Sequence, residues 1–355
     1  MKIGIVTQPL KANYGGILQN FALQQVLKNM GHEPITIDYI LDISWIRYCV
    51  AALKTVVFRI MGRKRKFVSS PRSYIRHQCV DAFIRKYLSV TRRVSNYHKK
   101  LINEYNLDAV IVGSDQVWRP LYSPFIHDMF LEFTSGMDLR RVAYAASFGV
   151  DNMEYSDKQL KRCFKLLEEF DGISVREASG VVLCKNYFGI EALHVLDPTL
   201  LNDKEVYEKL CQNVPVNSSK FLASYVLDIS EEKKIYIEDV AKRLGLEVNY
   251  FTADEGFSLT IEEWLAMFRD ASFVITDSFH GTIFSIIFKK SFFSLTNVDR
   301  GNSRFESLLS MLGLEGRLNA SYKNMIDDDI DWVQVYEKIY NLRDVAFDFL
   351  SQKLN

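Results

Sequence analysis

The stretch from Val274 to Phe288, VITDSFHGTIFSIIF, puts a histidine where proton chemistry would need one. Its apolar run ends in Asp277-Ser278-Phe279-His280-Gly281, and helical sequence begins there. His280 therefore belongs at the carboxyl end of a strand, the edge at which open α/β sheets bind ligands, beside helix-start N–H groups that favour phosphate or carboxylate. An imidazole there can give or take a proton near neutral pH. Arg176, in ISVREASG, also follows a strand-like run, and its guanidinium can pair a carboxylate or phosphate bidentately. Blander readings are a histidine bonded within its turn and an arginine paired with Glu177. NVDRGNSRFESLL (297–309) adds Arg300 and Arg304 around a polar loop, where Asn302 or Ser303 could cap the helix that follows.

Two further loops carry polar groups. In VGSDQVWRP (112–120), Asp115 and Gln116 suit sugar hydroxyls and Trp118 suits the apolar face of a pyranose; the alternative is an Asp115 cap and a Trp118 in the core. NYGGILQNFALQQVLKNMGH (13–32) sets two glycines where a strand gives way to a helix. They serve either a tight turn or a ligand at the helix start. On the second reading Asn13, Tyr14, Gly15 and Gly16 approach the cleft and Gln19 faces it. LDPTLL (196–201) reads as a structural turn at Asp197. The chain has no G-x-x-x-x-G-K-[ST], H-E-x-x-H or G-x-S-x-G, and no G-x-G-x-x-G after its first strand, which removes weight from triphosphatase, zinc hydrolase and serine hydrolase readings. His32, His77, His98, His127 and His194 have no ligand-like spacing, so no catalytic metal is expected. Cys49, Cys79, Cys163, Cys184 and Cys211 are scattered without a C-x-x-C pair and read as reduced thiols.

These residues need a scaffold, and the sequence describes one. With 355 residues and 48% hydrophobic content, the chain has material for two domains. Its 44 basic and 44 acidic residues cancel, so no overall field draws it to nucleic acid. Short β-branched runs (KIGIVT, PITIDY, DAVIVGS, RVAYAASFG, GISVRE) alternate with helix-period stretches, and the second half repeats the rhythm in KFLASYVLD, LEVNYF, ASFVITDS and SFFSL. Such interleaving argues for parallel sheets. DAVIVGSDQ and DASFVITDSFH run alike from Asp-Ala into an acidic loop, which fits two doubly wound domains whose strand ends face one cleft. The expected division is an N-terminal Rossmann-like domain over 1–170 on the acceptor side, a C-terminal one over 171–330 on the donor side, and a helix over 331–355 packing back on the first. That helix shows apolar spacing at Val333, Tyr336, Ile339, Tyr340, Leu342 and Phe347. Residues 43–77 break the pattern: apolar and basic, without an acid. This insertion reads either as a contact with a membrane surface or as a solvated covering of the first domain. A first apolar run too short for a secretory signal points to a cytoplasmic protein, at the inner membrane face if 43–77 touches lipid.

Taken in order, NYGGILQNFALQQVLKNMGHEPITIDY, DAVIVGSDQVWRP, YAASFG, ISVREASG, VLDPTLL and VITDSFHGTIFSIIF resemble the polysaccharide pyruvyl transferase family over roughly residues 1–310. The resemblance implies a fold like that of B-type glycosyltransferases, phosphoenolpyruvate as co-substrate, and a sugar of a surface polysaccharide or its lipid-linked precursor as acceptor. The product would be a pyruvate ketal, commonly across positions 4 and 6 of a hexose such as galactose. It also implies that His280 is the catalytic histidine and that Arg176 holds the donor. Some members carry Arg-x-His where this chain has Ser278-Phe279-His280, so one donor anchor is missing. Arg304 is expected to supply that cation, with Arg300 and Lys289 as weaker substitutes and Ser278 offering a hydrogen bond; Gly281 and Asn302 complete the expected donor side. Asp115 would orient or deprotonate the acceptor hydroxyl. A nucleotide-sugar glycosyltransferase and a non-catalytic glycan-binding or assembly protein are the competing readings.

Overall fold

The computed structural model describes residues 1–11, 13–40, 78–252, 259–297, 301–319 and 329–354. The basic insertion 43–77, Cys49, His77 and Arg300 lie outside the described residues. Two parallel sheets carry the fold. The first contains β1 (Lys2–Val6), β2 (Glu33–Thr36), β3 (Ala109–Asp115), β4 (Arg140–Ala146), β5 (Gly172–Val175) and β6 (Leu193–His194), in the order β2-β1-β3-β4-β5-β6. The second contains β7 (Phe221–Tyr225), β8 (Glu247–Tyr250), β9 (Phe273–Thr276) and β10 (Ser291–Ser294), in the order β10-β9-β7-β8. Their inner strands are covered on both faces, which is why β3 opens on the apolar run Ala109 to Val112 and stays buried along its length. Alternation still sorts the side chains: Ala109 and Ile111 enter one core, Val110 and Val112 the other.

Helices α1 (Tyr14–Asn29), α2 (Ala178–Phe188), α3 (Glu231–Leu244), α4 (Ile261–Asp270), α5 (Phe279–Ile287), α6 (Ser303–Leu312) and α7 (Trp332–Leu354) pack around the sheets, and α1, α5 and α6 reach the cleft. One core runs through both domains, joining Ile3, Ile17 and Tyr144 of the first to Val274, Trp264 and Phe284 of the second. Asn13 caps α1 by accepting from the Gly16 N–H, and Thr260 with Glu263 forms a capping box on α4.

The expected boundary at 170/171 is corrected by the sheet order. β5 pairs onto β4 and β6 onto β5, so the first sheet runs on to His194 and Arg176 belongs to the first domain. Helix α7 does reach back. Its Phe349 packs on Tyr144, and Arg343 donates to the Leu200 and Asn202 carbonyls and to Asp203. Near the start of the same helix, Tyr336 donates to the Ile287 carbonyl, so α7 straps the two domains together. Its buried face is Val335, Ile339, Ala346, Leu350 and Leu354; Val333 is 83% exposed, and the expected face is rotated accordingly.

Candidate active site

Both sheets turn their carboxyl ends toward one cavity of about 610 Å³. From the first domain it is lined by Gln8, Lys11 and Asn13 after β1, Tyr39 after β2, and Asp115 with Gln116 at the end of β3. From the second come Tyr225 and Leu227 after β7, and Asp277 through His280 after β9. Arg304, from the first turn of α6, completes it.

His280 is the second residue of α5 and is 6% exposed. Gly15 in the first turn of α1 makes room for it, because a Cβ at that position would lie 2.2 Å from His280 Nδ1. Gly16 has the same relation to the neighbouring polar pair: a Cβ there would lie 2.8 Å from Asn13 Nδ2 and 3.0 Å from Asp115 Oδ2. The two glycines thus let one helix start approach both an imidazole and a carboxylate. Behind the imidazole sits Asp197, fully buried, with Oδ2 3.8 Å from His280 Nε2, an ion-pair separation rather than a hydrogen bond. The same oxygen accepts from Arg176 Nη1 and from Ser114 Oγ, both at 2.8 Å, while Oδ1 accepts from the Thr199 N–H and hydroxyl. Burial alone would push this carboxyl up. His280 and Arg176 more than reverse that and hold it well below the usual carboxylate range.

Phe279, between the helix cap and His280, lies against two guanidinium groups: Arg176 at 4.5 Å and Arg304 at 5.4 Å from the ring centroid. Arg304 lines the cavity; Arg176 does not, being 3% exposed and turned onto Asp197. Burial first, and the like charge of Arg176 second, lower the Arg304 guanidinium to about 10, so it is a cation at neutral pH. Asp115 takes a left-handed backbone, φ 79°, held by its own Oδ1 accepting from the Gln116 N–H and by Asn13 Nδ2 donating to Oδ2. A non-glycine residue kept there is a strained feature of the sort that clusters at functional sites.

The sequence model of the family described as polysaccharide pyruvyl transferase matches residues 13–300. The chain belongs to that family. Among curated proteins none matches it. Solved structures similar to the chain include the S. aureus MnaA–UDP complex, at 12% identity and TM-score 0.47, covering 100% of this chain and 91% of that one. UDP-GlcNAc 2-epimerase from Methanocaldococcus jannaschii has 12% identity and TM-score 0.43, covering 100% and 94%. E. coli ADP-heptose LPS heptosyltransferase II has 10% identity and TM-score 0.37, covering 97% and 98%.

Several residues expected at the site of this pyruvyl transferase family member stand elsewhere. Trp118 is fully buried, stacks on Phe130 at 4.8 Å and donates its indole N–H to the Met129 carbonyl, so it presents no face to a sugar. Gln19 is fully buried and donates to Thr7 Oγ1 and the Gly16 carbonyl instead of facing the cleft. Tyr14 turns its hydroxyl to the Leu259 carbonyl, 2.5 Å away, and clasps the two domains. Gly281 serves helix–strand packing, since a Cβ would lie 2.2 Å from Thr276 Oγ1. Asn302 spends its side chain on the Asn297 N–H, Ser278 caps α5 through Gly281 N–H while still lining the cavity, and Lys289 lies over the Tyr336 ring past the far end of α5. Glu177, the alternative partner for Arg176, instead accepts from the Phe148 and Gly149 N–H groups.

The sequence reading missed Lys11 and the role of Asp197 next to His280. Asp197 is indeed a turn residue, bonding Thr199, but its second oxygen ties Arg176 to the imidazole. Asp277, a loop residue by sequence, accepts from the Leu227 and Asp228 N–H groups and from Lys233, fixing one wall of the cavity. Among the described residues no group of three or more His, Cys, Asp or Glu side chains converges as metal ligands would, and no helix is long and apolar enough to cross a membrane. Burial pushes the Cys163 and Cys184 thiols up to about 12, out of the range of a nucleophile.

Proposed function

We propose that the protein transfers the pyruvyl group of phosphoenolpyruvate to a hexose of a surface polysaccharide or of its lipid-linked precursor, forming a ketal and releasing phosphate. The observation that carries the reading is the meeting of His280 and Arg304 in one intersheet cavity, with the Asp197–Arg176 pair directly behind the imidazole. Arg304 and Lys11 would receive the carboxylate and phosphate of the donor, Arg304 taking the place of the arginine that some family members carry before the histidine.

In this scheme the imidazolium of His280 protonates the methylene carbon, and the enol oxygen stabilises the cation left at C2. A sugar hydroxyl adds to C2, and its proton returns to His280. The bond from C2 to the phosphate oxygen breaks, a second hydroxyl of the same sugar closes the ketal, and that proton leaves with phosphate. Asp197 backs the imidazole at 3.8 Å and fixes its position, and Asp115 orients the attacking hydroxyl. The test is to incubate the protein with phosphoenolpyruvate and candidate lipid-linked glycans, scoring phosphate release and a mass gain of one pyruvate less water. His280→Ala should lower turnover about 10²- to 10⁴-fold. Nucleoside diphosphate release from a sugar nucleotide would replace the reading with glycosyl transfer, and glycan binding without turnover of either donor would replace it with a binding role.

A further inference from the structure

One wall of the cavity has no part in the scheme above. Tyr39 follows β2 at the sheet edge, two strand positions from β3, about 10 Å from the line of Asp115. Its ring stacks on Tyr97 at 4.8 Å, and Tyr97 stacks in turn on Phe133 at 5.1 Å, so both phenols are fixed in place. Both line the cavity, both are more than nine-tenths buried, and neither hydroxyl has a hydrogen-bond partner among the described residues. Buried polar groups in folded proteins are nearly always satisfied, so two orphaned hydroxyls side by side call for a ligand that supplies oxygen atoms. Asp128 lines the same cavity and makes no side-chain hydrogen bond to a described residue. Burial first and Glu132 second raise its carboxyl to about 6, against Arg162, so at neutral pH it is an acceptor.

Resting on the pyruvyl-transfer reading, we propose that Tyr39, Tyr97 and Asp128 form the subsite that seats the acceptor as a neutral pyranose. The two phenols donate to sugar oxygens, and the Asp128 carboxylate accepts from a sugar hydroxyl. The subsite also discriminates. Asp128 lines the cavity beside the two phenols, so a second carboxylate brought against it, as on a uronic acid, is repelled.

The experiment measures binding without donor, by saturation-transfer NMR and titration calorimetry on the full chain. The probes are the methyl glycosides of galactose, glucose and mannose, with methyl galacturonoside as the anionic control. At least one neutral glycoside should bind and the uronoside should not. Tyr39→Phe and Tyr97→Phe should each weaken binding about three- to ten-fold and Asp128→Asn about ten-fold or more, the spread expected of neutral and charged hydrogen bonds. The Phe variants should unfold at the wild-type temperature or above it, because they remove hydroxyls that bond nothing in the free protein. Failure of every neutral glycoside to bind, equal binding by wild type and variants, or equal binding of the uronoside overturns the subsite. Loss of the subsite with phosphate release intact leaves pyruvyl transfer standing; sugar binding without phosphoenolpyruvate turnover does the reverse.

Discussion

Replacing Asp197 with asparagine separates the electrostatics of this site from its packing. The carboxylate receives four donors, two on each oxygen, and sits against a guanidinium that is itself 3% exposed. An amide nitrogen set in either position would point hydrogens at donors, and Arg176 would be left a buried cation whose Nε and Nη2 make no hydrogen bond, with only Asp115, 3.9 Å from Nη2, as a counter-charge. Breaking one side of such a pair costs about 3–5 kcal/mol. For a protein with roughly 5–15 kcal/mol of total stability that is a large fraction, equivalent to a fall of roughly 4–7 °C in Tm for a chain of 355 residues. The pH dependence gives the sharper test. Because the folded-state carboxyl is held below its unfolded value, its contribution is complete above about pH 4 and is lost as pH falls through the lower folded value. Urea titrations of wild type and Asp197→Asn should therefore stay separated by a constant free energy from pH 8 to pH 5, then converge in stronger acid. Arg176→Met combined with Asp197→Asn should lose less than the sum of the single changes, since no charge is left stranded. In phosphate-release assays the single variant should lower kcat more than it changes the donor KM, because the imidazole loses the group that holds it from behind. A stability loss under about 1 kcal/mol, or a gap that widens toward acid, would refute the argument that this buried ion pair anchors the imidazole.

Four other substitutions test separate parts of the reading. Gly15→Ala pushes a methyl into the space of His280 Nδ1 and should cut kcat about 100-fold with little change in Tm, read by parallel turnover and melting curves. Arg304→Gln should raise the donor KM about 10- to 100-fold in steady-state kinetics and leave acceptor KM within two-fold, as expected for loss of charge-assisted bonds. Trp118→Phe should cost about 2 kcal/mol in denaturant titrations, through a lost indole bond to Met129 and a smaller ring in the core, and should not alter acceptor KM. Asp128→Asn should stabilise the free protein by about 1 kcal/mol at pH 8 and not at pH 4; the folded carboxyl, at about 6, lies above its unfolded value, so its favourable proton is lost as pH rises through that window, and partial exposure screens the rest.

What the sequence made legible follows from what periodicity encodes. Parallel strands buried on both faces read as apolar runs, and each run ends in a polar loop before a helix, so β1, β3, β7 and β9 and the placement of Asp115 and His280 at strand ends could be read directly. Sheet membership could not. β5 carries the same pattern as any other buried strand, and only its pairing onto β4 assigns it, with Arg176 and the two-residue β6 that follows, to the first domain. Loop side chains have no period either. In the stretch from Asp115 to Trp118, the carboxylate lines the cavity while the indole, three residues on, is buried beneath it.

The same limit explains the missed groups, and it shows why the site is built as it is. Asp197 satisfies a turn with one oxygen and an ion pair with the other, so its local signature is complete without the second role. Tyr39 and Tyr97 come from separate segments and meet only because an edge strand and a later loop return to the same side of the sheet. His280 itself receives its acid from the first domain and its helix from the second, with Gly15 of the first domain clearing its path. An imidazole assembled across the two sheets in this way is oriented only when they are packed together. Changes that loosen the shared core or the α7 strap should therefore depress kcat before they unfold either domain.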